Sequence, residues 1–227
     1  MVHWLVGSPL EYKASEWIDS SGKTISRCLV YDQVFVRVIV ENPLRMRSTI
    51  GLIKVAIFKS SRLLPDASVK WSKHVVTLPP LSSERIIVPF KPLYEAEYYY
   101  KIYVEDREVY AQPKGSPPRL YAYRRESRII IDKISGFSRN PGFSVAGKLV
   151  DALTGEGVGR ARIEVYDSRV FRNDKMLAYG ITDESGSFTI GGLRPFKVGS
   201  RFKIYLRFRG DDVYKPSFSD QFTVSLA

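Results

Sequence analysis

Hydrophobic and polar residues alternate with period two along much of the chain. In Leu29–Val40 (LVYDQVFVRVIV), Val34, Val36, Val38 and Val40 share one parity, with Phe35, Arg37 and Ile39 on the other. Alternation rich in Val and Ile predicts a strand. Glu41-Asn42-Pro43 ends it, since proline has no N–H to give a ladder. The same reasoning predicts strands over Gly51–Ser60, Trp71–Leu78, Arg85–Phe90, Tyr98–Val104 and Glu108–Ala111. Pro89 places Arg85–Phe90 at a sheet edge.

The second half repeats the rhythm. Strands are expected over Ser127–Ile134, Phe143–Asp151, Ala161–Asp167, Met176–Thr182, Ser187–Ile190, Phe202–Phe208 and Phe218–Leu226. Asn140-Pro141-Gly142, Thr154-Gly155-Glu156-Gly157 and Asp183-Glu184-Ser185-Gly186 read as turns. Phe202–Phe208 has the cleanest alternation, with Phe202, Ile204, Leu206 and Phe208 on one face, and should be a central strand. No stretch has helical periodicity. Short strands every 10–15 residues or so are the sandwich pattern. The expectation is an all-β chain of two tandem immunoglobulin-like β-sandwich domains, 1–126 and 127–227. The segment Gln112–Leu120, rich in Pro, Gly and Ser, lies near the junction.

Composition narrows the chemistry. The 227 residues include one Cys and two His, so the fold has no internal disulfide. Cys28 reads as a small buried hydrophobe, since a reactive thiol needs a neighbouring base and only His3 and His74 exist. These three residues lack the spacing of a His/Cys metal site. No nucleophile elbow, phosphate loop or dinucleotide fingerprint occurs, so no cofactor and no catalytic residue is expected. Three Asn, three Gln and three Met beside abundant Lys, Arg and Glu suggest a thermophile. No apolar run is long enough for a transmembrane helix. The first residues, MVHWLVGSPL, lack a secretory n-region and apolar core. That predicts an intracellular protein, or a mature or trimmed chain. The net charge of +11 is shared evenly by the two halves. It is either a solvated basic surface or an attraction for nucleic acid, acidic glycan or an acidic partner.

The second half carries Val145-Ala146-Gly147-Lys148-Leu149-Val150-Asp151, Thr154-Gly155-Glu156-Gly157-Val158 and Ala161-Arg162-Ile163-Glu164-Val165-Tyr166. Then come Thr182-Asp183-Glu184-Ser185-Gly186-Ser187-Phe188 and the segment from Phe208 to Ser217. In order and spacing this half resembles the carboxypeptidase regulatory-like (transthyretin-like) and bacterial Ig-like modules of prokaryotic surface proteins. The first half resembles the CARDB type of adhesion-related domain, common in archaeal surface proteins. Its carriers are Val36–Pro43, Gly51, Lys54–Phe58, Leu78–Pro89 and Tyr100–Val104. The resemblance implies a spacer, adhesion or interaction role at a cell surface, without catalysis, and with a protein partner or self-association.

Two groups of side chains could still carry a site. The paired carboxylates Glu105-Asp106, Asp183-Glu184 and Asp211-Asp212 fall in expected hairpin turns, where Asp is favoured for backbone reasons. Asp183, Glu184, Asp211 and Asp212 are also candidate Ca²⁺ ligands, and paired acids serve glycosidases. The aromatic and basic stripe of Tyr98, Tyr99, Tyr100, Tyr103, Tyr121, Tyr123, Arg124 and Arg125 is a possible binding surface. It reads either as strand packing and interface or as stacking on bases or sugars. In a strand Tyr98 and Tyr100 share one face and Tyr99 and Tyr103 the other, so no single platform uses all four.

Overall fold

The computed structural model describes residues 9–61, 63–112, 119–136, 142–168, 173–194 and 201–225. His3, the Asn140-Pro141 step, most of Gln112–Leu120, the Phe202 side chain and Leu226 lie outside the described residues. Among these the chain is all-β, with no helix. It divides into two compact units, Met1–Tyr123 and Arg124–Ala227. Arg124, Arg125 and Glu126 therefore belong to the second unit.

The first unit is a sandwich of two sheets. One contains β1 (Glu11–Ile18), β3 (Val34–Glu41) and β6 (Ser83–Phe90), in the order β1-β3-β6. The other contains β2 (Arg27–Leu29), β9 (Leu120–Tyr123), β7 (Ala96–Val104), β4 (Thr49–Lys59) and β5 (Ala67–Leu78), in that order, with β8 (Arg107–Ala111) also on β7. Val34, Val36, Val38 and Val40 face inward as the alternation requires. They pack with Ile53, Val55 and Ile57 of β4 and with Tyr98, Tyr100 and Ile102 of β7. Trp17 fills the middle, 5.4 Å from the Tyr100 ring and 5.8 Å from Phe90. Pro89 stands opposite Phe35 on β6, which pairs only with β3 among the described residues, as an edge position demands.

Three expectations shift. The strand expected from Leu29 is interrupted, because Tyr31 takes a φ of 66° and the Asp32 carboxylate accepts the Leu29 N–H; β3 begins at Val34. Glu11–Ile18 forms a strand that the pattern did not announce. Tyr121–Tyr123, unassigned by pattern, lies in β9 and pairs in parallel with β2.

The second unit sets β10 (Ser127–Ser135), β11 (Phe143–Asp151) and β14 (Ser187–Leu193) against a second sheet. That sheet runs β13 (Lys175–Ile181), β12 (Arg162–Ser168), β15 (Arg201–Phe208) and β16 (Ser217–Phe218), with β17 (Phe222–Ser225) also on β15. Ile163, Val165, Ile204, Leu206, Phe188 and Leu149 form its core. β15 is central, flanked by β12 on one side and β16 and β17 on the other. The expected final strand Phe218–Leu226 is broken instead. Ser219 exchanges bonds with Leu206, its N–H donating to Leu206 O and its Oγ accepting the Leu206 N–H, and this separates β16 from β17.

Candidate interaction surface

The eight residues of the aromatic and basic stripe are not brought together. Tyr98 and Tyr100 point into the core of the first unit, where Tyr98 contacts Phe90 at 5.1 Å. Burial raises the Tyr100 hydroxyl pKa above its ordinary value. Tyr99, Tyr103 and Tyr121 stand on the opposite, outer face of the sheet, as strand parity requires. Tyr123 is half-buried at the end of β9. Arg124 and Arg125 serve the second unit: Arg124 donates to the Asp211 carbonyl at 3.1 Å, and Arg125 pairs with Asp151 at 3.2 Å.

The outer face of the first unit gathers residues from three strands. On β4, residues Ile50, Leu52, Lys54, Ala56 and Phe58 share it. Across the ladder Ile50 meets Thr77, Leu52 meets Val75, Lys54 meets Lys73 and Ala56 meets Trp71. On the other side Lys54 faces Tyr103, Ala56 faces Lys101 and Phe58 faces Tyr99. Phe58 stacks on Tyr99 at 5.2 Å and meets Trp71 edge-on at 6.5 Å; Trp71 stacks on Tyr103 at 5.8 Å. The Arg119 guanidinium covers Tyr99 at 4.6 Å. Tyr99 donates to Asp66 Oδ2, and burial with that carboxylate pushes its pKa up to about 12.

The Phe58–Tyr99 end is covered, while the other end stays open. Trp71 is 52% exposed, Ile50 67% and Val75 74%. Two of the three lysines on this face are paired, and the third, Lys73, stands exposed between Trp71 and Val75 on β5. Lys54 pairs with Asp106, and Lys101 pairs with Glu108 at 2.9 Å. β5 bears the most open residues and is the last strand of its sheet, hydrogen-bonded only to β4 among the described residues. Sequence pattern found Tyr99 and Tyr103 but missed Trp71, Val75 and Ile50, because the parity that faces solvent is not written in a strand alone.

The carboxylate pairs do local work. Asp183 Oδ1 accepts from the Ser185 N–H, the Ser185 hydroxyl and the Ser187 N–H, at 2.9, 2.7 and 2.9 Å. These bonds hold the Asp183 pKa below the usual range. Glu184 pairs with Arg160 at 2.8 Å. Asp211 Oδ1 accepts from the N–H groups of Val213 and Tyr214. Asp212 is exposed. Glu105 and Asp106 occupy a two-residue hairpin at φ 47° and 66°. Among the described residues no three His, Cys, Asp or Glu side chains gather as a metal site would need.

Two nucleophile candidates remain. Cys28 lines a surface depression with Arg27, Asp32 and Gln33, but burial and the Asp32 charge push its thiol up to about 12. That is the opposite of an activated thiolate. Ser72 Oγ lies 2.7 Å from His74 Nε2, a contact the sequence reading did not contain. The two are i, i+2 neighbours on β5, so the strand itself brings them together. Burial lowers the His74 pKa, against the opposing pull of Glu84. A hydrolytic triad also needs an orienting acid bonded to the ring and an oxyanion site. Glu84 acts on His74 through its charge, and no hydrogen bond joins the two among the described residues.

No family model matches the chain. No curated protein matches it. Among solved structures it is similar to the crystal structure of red sea bream transglutaminase, with 10% identity and a TM-score of 0.39. The match covers 96% of this chain and 31% of that one, so the chain spans about a third of that protein's length.

Proposed function

We propose that this protein is a non-enzymatic structural or interaction protein of adhesion or spacer type from a thermophilic prokaryote. Its first unit is read as a CARDB-like module and its second as a carboxypeptidase regulatory-like module. The exposed strip of Ile50, Val75 and Trp71 on β4 and β5 carries this reading. Exposed apolar side chains anchored by a half-exposed Trp, with Lys54 and Lys101 of the same face already paired to Asp106 and Glu108, suit a protein partner better than a polyanion. The inactive direction of the Cys28 pKa and the turn duties of the acid pairs support the absence of catalysis.

The test is a photo-crosslinking amino acid placed at Val75 in the host cell, with a control at the exposed Leu153 of the second unit. Discrete adducts are expected from position 75 only, weakened at least tenfold by Trp71→Ala. No adducts, or the same adducts from both positions, would defeat the interaction reading. Hydrolytic turnover abolished by Ser72→Ala would defeat the non-enzymatic one.

A polyanion-binding role is the second reading. It draws support from a different surface, in the second unit.

A further inference from the structure

The outer face of the sheet β13-β12-β15-β16 is unlike that of the first unit. Its side chains fall in three cross-strand rows. The first contains Ile181 and Arg162, with Arg209 next in the chain after the end of β15. The second runs Tyr179, Glu164, Arg207 and Phe218. The third contains Met176, Tyr166 and Tyr205.

At the centre Glu164 is fully buried, an unusual place for a carboxylate. It accepts from Arg209 Nε at 2.9 Å and from the Tyr166 hydroxyl at 3.0 Å, and it pairs with Arg162 Nε at 3.3 Å. Arg207 stands directly across the ladder from it. Arg162 and Arg209 thus hold one carboxylate between them, Arg207 adds a third guanidinium across the ladder, and Asp174 accepts from the Tyr205 hydroxyl at 2.9 Å, which leaves three arginines to two carboxylates among these groups. Arg207 Nε is buried and has no hydrogen-bond partner among the described residues.

The rings of this face are laid out for stacking. Tyr166 and Tyr205 stack on each other at 5.3 Å and 10°. Tyr179 is 54% exposed and Phe218 is 59% exposed, each on an outer strand of the sheet. Each is backed by a guanidinium: Arg162 over Tyr179 at 4.0 Å and Arg207 over Phe218 at 5.6 Å. The two open rings are three strands apart, roughly 14 Å at ordinary strand spacing, with the arginines between them.

We infer that this face binds single-stranded nucleic acid, with bases on Tyr179 and Phe218 and phosphates against Arg162, Arg207 and Arg209. Charge complementarity selects an anion. The open rings select one that carries flat π-faces, because stacking on aromatic side chains is how sequence-tolerant single-strand binders hold bases. An acidic peptide would use the charge and leave both rings idle, and an acidic glycan, whose sugar faces can also stack on rings, is told apart from bases by the heparin arm of the test below. A duplex hides its bases from a flat sheet face. The inference is independent of the protein-binding reading of the first unit.

The test uses the full chain and fluorescein-labelled dT20 and U20 oligonucleotides, by fluorescence anisotropy near 50 mM salt. Saturable binding that weakens with salt is expected. The double variant Tyr179→Ala/Phe218→Ala keeps the net charge and should bind at least tenfold more weakly. Tyr179→Phe/Phe218→Tyr keeps both rings and should bind like the parent. Arg207→Gln provides a separate loss through the cation. The two oligonucleotides show whether DNA or RNA is preferred. Both rings are more than half exposed, so their removal should leave the thermal melt in place, and this is checked for each variant. The proposal is overturned if neither oligonucleotide binds saturably, or if the double ring variant binds as tightly as the parent. It is equally overturned if a duplex or heparin binds as tightly as dT20 and U20 and ignores the ring substitutions.

Discussion

Asp19 and Asp183 sit in different units and fold their turns alike. Asp19 Oδ1 accepts from the N–H groups of Ser21 and Lys23 and from the Ser21 hydroxyl, as Asp183 does from Ser185 and Ser187. In both, the residue after the serine is a Gly at positive φ, Gly22 at 84° and Gly186 at 77°. Both carboxylates are engaged by the N–H and hydroxyl groups of their own turns, the backbone role that the turn location of Asp183 in the sequence suggests. Glu164 is the opposite case, since nothing in its strand pattern announces a buried acid. Burial alone would raise its pKa, but the bonds from Arg209 and Tyr166 outweigh that and hold it below the usual range. A depressed carboxylate adds stability above its unfolded pKa, and that stability is lost as pH falls through the folded value. The relevant window is below about pH 4.5. Glu164→Gln should therefore cost about 1–3 kcal/mol at pH 7 and make the fall in melting temperature between pH 5 and pH 3 shallower. Calorimetric melts across that range measure both. An unchanged acid slope would mean that Glu164 is not ionised against its arginines.

At the scale of elements, the long amphipathic strands were readable and the short ones were not. β3, β4, β11, β12 and β15 bury one parity against a core, so the period shows in the residues themselves. β2 is three residues long and is fixed by its parallel partner β9, a contact no local pattern contains. The same limit hid the Trp71 strip, which is defined by what β4 and β7 place beside it. The glycine-rich loop after β11 was read as turn chemistry throughout, and the structure separates two roles. Gly155 holds a φ of 76° with open space around it, so its need is conformational. Gly157 is not at positive φ; a Cβ there would lie 2.0 Å from the Ser185 carbonyl, where two backbones cross. Gly157→Ala should destabilise the second unit by about 1–3 kcal/mol through overpacking. Gly155→Ala should cost about 1–2 kcal/mol, the left-handed penalty alone. Denaturant midpoints of the two variants test the ranking. A Gly157→Ala protein as stable as the parent would show that the loop gives way without cost.

At the scale of the molecule, the place where the second unit begins decides whether it can stand alone. Pattern reading placed the cut after Glu126, because the first recognisable strand of that half starts at Ser127. The hydrogen bonds place three more residues in the unit. The Arg125 N–H donates to the Val213 carbonyl, and its own carbonyl accepts the Lys215 N–H. The Glu126 carbonyl accepts the Ala152 N–H, and its side chain pairs with Lys215 at 2.7 Å. Above all, the Arg125 guanidinium faces Asp151, whose side chain is almost wholly buried. Burial raises the Asp151 pKa, and the Thr154 and Leu153 N–H groups with Arg125 pull it below the ordinary value. Removing Arg125 leaves that carboxylate with its backbone donors and the Tyr214 hydroxyl but without a cation. A buried acid stripped of its cation costs on the order of 3 kcal/mol, a large share of an ordinary domain's stability. Residues 124–227 expressed alone should therefore melt cooperatively, while 127–227 should be less stable by about 2–4 kcal/mol. Adding Asp151→Asn to the shorter fragment should recover part of that loss, because the neutral amide needs no cation. Chemical denaturation of the three fragments measures this. Equal midpoints for 124–227 and 127–227 would show that Arg124–Glu126 are a tether rather than part of the second sandwich.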